Sequence, residues 1–260
     1  MNVTASVNYH IESDQPQAFL FDVDGIAGNI IEPELVATEI QVENMRGAAN
    51  TPRFSKDGIA FIKHRSAISQ FEQNNSWLAA YNHEIETLLQ REIGAQEVIV
   101  FDHTLRVDSP EATRQPARNV HNDYSPSGAA QRLIDLIGAE RAASFQRGRY
   151  AFVNVWRPVE RTITSSPLGF IHPASIKHED WMTIDLIYPD RTGQILGVAP
   201  NPEHKWFYQS QMKPDEVVIF NIYDNHGRPQ LAHSALDIKQ HSKTALPRKS
   251  LETRTLVRYA

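Results

Sequence analysis

Asn119-Val120-His121-Asn122-Asp123-Tyr124 sets an imidazole and a carboxylate two residues apart, and its reading decides the fold. Residues i and i+2 of an extended strand point to the same side. A strand over 117–122 therefore aims His121 and Asp123 at one point. Two ligands do not hold an iron ion, so a third must come from elsewhere in the fold. His233, in Gln230-Leu231-Ala232-His233-Ser234-Ala235, lies on an expected strand over 230–235, more than a hundred residues downstream. Two histidines and one carboxylate on one face leave positions open for further ligands, the arrangement of non-haem iron(II) oxygenases. Zinc accepts the same ligand types. The rivals for the third ligand are His226, in the turn Asp224-Asn225-His226-Gly227-Arg228-Pro229, and His241, in a polar run; a loop or a solvated stretch holds a metal poorly.

Outward from this motif the chain reads as strands. Downstream, β-rich stretches at 150–157, 168–171, 181–188, 193–198, 206–211, 216–223, 230–235 and 251–259 are mostly separated by turn residues such as Pro189-Asp190-Arg191-Thr192-Gly193. Upstream, Leu78, Tyr81, Ile85, Leu88, Leu89 and Ile93 recur at helical spacing over 76–93, and Gly94 stands where a C-terminal cap belongs. A strand over 97–101 and a second helix over 128–138 follow. Residues 1–60 are polar and irregular, with short strand-like pieces at 18–23 and 39–42, and are expected to form an arm around the body. The expectation is a single domain over 1–260, its core over 61–260. Its class is mainly β with flanking helices, built on a double-stranded β-helix of the jelly-roll or cupin-like type.

Composition narrows the chemistry. The 260 residues carry a formal net charge of -5 from 26 basic and 31 acidic side chains, which argues against a nucleic-acid binder. There is no cysteine, so disulfides, thiolate metal sites and cysteine nucleophiles are excluded, and a metal needs His, Asp or Glu. Neither a glycine-rich phosphate loop nor a Gly-x-Ser-x-Gly nucleophile turn is present. No apolar run approaches the roughly 20 residues needed to cross a bilayer, and the N-terminus does not read as a secretory signal. A soluble, cytoplasmic protein acting on a small molecule, with no nucleic-acid or membrane partner, is expected. Its oligomeric state is left open.

A 2-oxo acid bound to iron through one end buries its far carboxylate, which then needs a cationic and preferably bidentate partner. Arg248 and Ser250, in Pro247-Arg248-Lys249-Ser250-Leu251, share one face of an extended segment just before the last strand. The order His-x-Asp, long gap, His, short gap, Arg-x-Ser is that of the double-stranded β-helix oxygenases. Arg254 shares the even spacing and is the rival for this role. Asn154 and Trp156 share one face of a strand expected to pass near the metal, Arg157 points the other way unless the strand ends there and lets it anchor an acidic substrate, and Arg106 and Tyr124 are further pocket candidates.

The chain also resembles the CmcJ-like and gibberellin-desaturase-like group of proteins from about residue 40 onward. The resemblance is carried by Arg46-Gly47, Phe54-Ser-Lys-Asp-Gly58, Phe61-Ile-Lys-His64, Val100-Phe-Asp-His-Thr-Leu-Arg106, His121-Asn-Asp123, Asn154-Val-Trp-Arg-Pro158, Asp215-Glu-Val-Val-Ile-Phe220 and Pro247-Arg-Lys-Ser250. The group commonly follows its late histidine with Thr-Ala-Phe, where this chain has Ser234-Ala235-Leu236. The resemblance implies an iron(II) and 2-oxoglutarate-dependent reaction with dioxygen, giving hydroxylation, desaturation or oxidative ring closure of an amino acid, carboxylic acid or secondary metabolite. The competing expectation is a non-catalytic or zinc-bearing β-sandwich that binds a small molecule as an accessory protein.

Overall fold

The computed structural model describes residues 2–26, 29–71, 75–239 and 246–260. In chain order the strands are β1 Asn2–His10, β2 Gln17–Phe21, β3 Ile30–Ile31, β4 Leu35–Asn44, β5 Ile59–Lys63, β6 Glu97–Val107, β7 His121–Asn122 and β8 Tyr150–Pro158. They continue as β9 Leu168–Ile171, β10 Trp181–Ile187, β11 Thr192–Val198, β12 Trp206–Tyr208, β13 Glu216–Asp224, β14 His233–Ala235, β15 Asp237–Ile238 and β16 Lys249–Arg258. The α-helices are α1 Phe54–Asp57, α2 Leu78–Ile93, α3 Pro126–Ile137 and α4 Ala139–Gln146. An eleven-stranded sheet, β15-β1-β4-β12-β9-β14-β7-β11-β10-β2-β3, packs against a five-stranded sheet, β5-β13-β8-β16-β6.

Strand β8 explains the layering. All nine of its residues are buried, because it is covered on both faces. Ala151, Val153 and Val155 pack beneath Tyr81, Ile85, Leu88 and Leu89 of α2. Phe152 and Trp156 face the interior with Phe170 and Phe207 of the large sheet. The helix ends at Gly94, whose φ of 71° is a left-handed cap that glycine adopts without a β-carbon penalty. In the interior, Phe170 meets Phe220 edge-on at 5.1 Å, so aromatic rings from the two sheets interlock.

Residues 1–60 depart from the expected irregular arm. Strand β1 pairs with β4 from Asn2↔Glu43 to His10↔Leu35, and β4 continues the large sheet by pairing parallel to β12. Ala5, Val7 and Tyr9 alternate inward and are buried, but they stand among Asn, Thr and Ser, which hides the period. Tyr9 fastens the strand: its hydroxyl accepts from Trp206 Nε1 at 2.8 Å and lies 2.9 Å from His204 Nδ1, whose Nε2 is 3.1 Å from Asp180 Oδ2. Tyr9→Phe strands the indole N–H and the imidazole nitrogen. It should lower unfolding free energy by about 1–3 kcal/mol, measured by urea denaturation.

Other differences are local. Of 117–122 only His121–Asn122 is a strand, β14 covers only His233–Ala235, and α4 and β5 were not anticipated. Asn119 forms an isolated bridge with Asn8. Among the described residues no helix is long and apolar enough to cross a membrane.

Candidate metal centre

The two short strands meet at the site. His121 of β7 stands opposite His233 of β14 in antiparallel register, so both imidazoles rise from the same face, with ring centroids 4.4 Å apart. Asp123 lies just past the end of β7. Its Oδ1 is 3.5 Å from His121 Nε2 and 3.9 Å from His233 Nε2. One ligand atom from each of the three lies within 4.8 Å of the others. A metal bonded at about 2.1 Å to adjacent ligands holds them about 3 Å apart, so the trio needs only small movements to close on an ion.

Each donor atom is freed by its surroundings. His121 Nδ1 is 2.8 Å from the Asn119 carbonyl, and His233 Nδ1 is 3.0 Å from the Leu231 carbonyl. A carbonyl only accepts, so Nδ1 carries the proton in both rings and the Nε2 lone pair faces the centre. Burial, reinforced by His121, pushes the His233 pKa down to about 4. Burial alone would raise the Asp123 carboxyl, but the Arg254 guanidinium overcomes it and holds it well below the ordinary carboxylate range. Oδ2 of Asp123 is held by Asn154 Nδ2 at 2.8 Å and by Arg254 Nε at 3.2 Å. Both grips fall on the oxygen turned away from the histidines, which leaves Oδ1 as the donor to a metal. Asn154→Ala removes one of them. It should weaken Fe(II) affinity by about 10- to 100-fold, measured by competition with a metal-binding dye.

Arg254 is fully engaged: besides Asp123 it meets Asp102 at 2.6 Å and Glu252 at 2.5 Å. Arg248 is the opposite case. It is 2 % exposed and, among the described residues, forms no ion pair with a carboxylate within 4 Å. Its Nε donates to Ser250 Oγ at 3.0 Å and its Nη1 to the Ser166 carbonyl at 2.7 Å. Its guanidinium lies 5.0 Å over the ring of Trp156, whose indole Nε1 is buried without a partner among the described residues. Arg106 stands opposite Ser250 across β6 and β16 and donates to the Gln115 carbonyl. Burial and the neighbouring Arg106 push the Arg248 pKa down to about 9. A buried cation without an anion, a hydroxyl and an unmet N–H together are what a buried carboxylate requires.

The remaining candidates separate clearly. Tyr124 packs its ring on Phe152 at 4.9 Å beside the centre. Arg157 is not in the site: it lies on the other face of β8, donates to the His64 and Pro214 carbonyls, and sits 5.8 Å from the Tyr81 ring of α2. Strand β8 runs on to Pro158, so the alternation that turns Asn154 and Trp156 inward turns Arg157 outward. His226 is exposed in its turn, and His241 lies outside the described residues. His103 bridges Thr253 and Asn82 and is structural. Glu252 escaped the sequence reading, although it shares the even spacing of Ser250 and Arg254.

Known proteins match this arrangement. The model of the oxidoreductase/YMDC permease-like domain family matches residues 7–258. The chain is 30% identical over 220 residues to the alpha-ketoglutarate-dependent dioxygenase phiK of Fungal sp. (strain ATCC 74256), covering 79% of each chain. It is 23% identical to the gibberellin cluster GA4 desaturase of Gibberella fujikuroi, covering 97% of this chain and 94% of that one. A solved structure of the iron and alpha-ketoglutarate-dependent endoperoxidase NvfI superposes with a TM-score of 0.88 at 22% identity, covering 100% of this chain and 98% of that one. That last likeness is one of fold, the double-stranded β-helix.

Proposed function

The chain belongs to the oxidoreductase/YMDC permease-like family and is an iron(II)/2-oxoglutarate-dependent dioxygenase, and from that premise we propose that it oxidises a C–H bond of a small, uncharged, largely apolar molecule. In this reading Nε2 of His121, Nε2 of His233 and Oδ1 of Asp123 hold the iron, and Arg248, Ser250 and the Trp156 N–H grip the distal carboxylate of 2-oxoglutarate. The observation that carries it is the buried Arg248 guanidinium, unpaired with any carboxylate of the described residues, beside a converged triad. Arg254 is the weaker choice for this grip because three carboxylates already occupy it. When bound, iron and 2-oxoglutarate supply dioxygen activation: the 2-oxo acid becomes succinate and carbon dioxide, one oxygen atom enters succinate, and the other enters the substrate on hydroxylation or leaves as water on desaturation.

The protein's own part is positional. Asn154 and Arg254 keep Asp123 turned so that a single oxygen faces the ion. The aromatic interior excludes water and holds the substrate bond near the reacting position. The cations named in the sequence reading support an uncharged substrate: Arg106 adjoins Arg248, Arg254 is paired, and Arg157 is on the far face, which leaves Arg132, beside Tyr124, as a cation near the centre outside that set.

Hydroxylation is the default outcome. The relatives named desaturase and endoperoxidase mark the other outcomes open to the same centre. A succinate-release screen with Fe(II) over neutral polycyclic compounds, amino acids and carboxylic acids tests the reading. Stimulation by neutral members is expected; stimulation confined to the acids would contradict the substrate class.

A further inference from the structure

His10, the last residue of β1, is fully buried. Neither its Nδ1 nor its Nε2 has a hydrogen-bond partner among the described residues. A neutral imidazole brings one donor and one acceptor, and leaving both unmet in a dry interior costs free energy. Its ring fills the space over Gly197, where a β-carbon would come 2.6 Å from His10 Cδ2 and 2.8 Å from Cγ. Gly197 is the register partner of His121. Directly opposed residues of an antiparallel pair rise on the same face, so His10 stands on the metal side of the sheet.

The surrounding wall is apolar. Phe19 meets His10 edge-on at 6.1 Å, and Phe19, Ile184 and Ile195 form one buried cluster. A second unmet polar atom lies on the same wall: Gln17 stands opposite Ile184 across β2 and β10, and its buried Oε1 has no partner among the described residues while its Nε2 donates to the Ile11 carbonyl.

Position decides what this wall faces. In the large sheet the ligand-bearing strands β14 and β7 lie between β9 and β11. The Arg248 corner adjoins the β9 side through the Ser166 carbonyl, and His10 stands over β11 on the other side. With Arg248 as the cosubstrate's anchor, the cosubstrate would take one flank of the triad, and His10 lines the other. We propose that the wall of β2, β10 and β11 is the substrate's side, and that His10 is a specificity-determining residue that hydrogen-bonds a hydroxyl or carbonyl oxygen of an otherwise apolar substrate. This rests on the oxygenase reading above, which fixes Arg248 as the cosubstrate's flank.

His10→Phe tests it, since phenylalanine keeps the ring and removes both nitrogens. Three measurements are made on the full chain. The first is the melting temperature without ligands, which should rise by a few degrees as two unmet polar atoms leave the core. The second is the anaerobic Fe(II)/2-oxoglutarate absorption band, which should form at the same 2-oxoglutarate concentration as in the wild type. The third is succinate release with rigid polycyclic hydrocarbons bearing one hydroxyl or ketone, set against their unsubstituted counterparts. The wild type should favour the oxygenated members by about tenfold in kcat/KM, and His10→Phe should lose that preference. A lowered melting temperature marks a structural histidine and overturns the proposal. So does a wild type without preference, including one that turns over neither set, or a preference that survives in the variant. Absence of the band in the wild type would instead break the oxygenase reading itself, so the two failures are told apart.

Discussion

Arg248→Ala is expected to weaken 2-oxoglutarate binding by about 2–5 kcal/mol, roughly 30-fold to several thousand-fold, while leaving Fe(II) affinity within about twofold. The magnitude follows from burial. Arg248 lies on Trp156 and, among the described residues, makes hydrogen bonds only to Ser250 and a backbone carbonyl. A carboxylate entering this corner is desolvated, and with the guanidinium gone it loses the buried cation that lies on Trp156. Arg248→Lys should rescue little, because a compact ammonium cannot form two parallel bonds to one carboxylate. Arg254→Ala should behave differently. It removes a donor from Asp123 Oδ2 and leaves Asp102 and buried Glu252 without their partner, so Fe(II) affinity and stability fall together. Isothermal titration of both variants with metal, and then with 2-oxoglutarate on the loaded protein, separates the two arginines. Equal effects of both on both ligands would contradict this division of labour.

Asp123→Ala is expected to reduce Fe(II) affinity by more than about 100-fold, beyond the range typical of outer-sphere changes, and to bring succinate formation to background. The loss is direct: Oδ1 is the anionic donor between two neutral imidazoles. The fold should survive, because Arg254 keeps Asp102 and Glu252 as partners. A circular dichroism spectrum and melting curve close to the wild type's, together with lost metal binding, are the expected pair of results. Retained iron-dependent succinate release would remove Asp123 from the centre.

The triad was legible in the sequence because its logic is local. A two-residue spacing turns His121 and Asp123 together, and the late strand histidine and Arg-x-Ser follow in an order that a double-stranded β-helix brings to one place. Parity along β8 also separated Asn154 and Trp156 from Arg157, and the strand continues through Arg157, so parity held. What escaped was set by distant pairing. Strand β1 hides its apolar alternation among polar residues and becomes a strand because the distant β4, β15 and Val120 meet it. His10 could not be picked from eleven histidines, since nothing in its neighbours says that Gly197 leaves room for it beside His121. Arg248 and Arg254 share a spacing, and only the positions of Asp102, Glu252 and Asp123 distinguish the occupied guanidinium from the open one.

The most direct measurement of the central claim is an anaerobic titration of the Fe(II)-loaded protein with 2-oxoglutarate, following the weak visible charge-transfer band of the chelate. A band that saturates near one equivalent in the wild type, is absent in Asp123→Ala, and requires far more 2-oxoglutarate in Arg248→Ala is the predicted result. A wild type that binds Fe(II) without developing the band, or an Arg248→Ala curve that overlays the wild type, would contradict it.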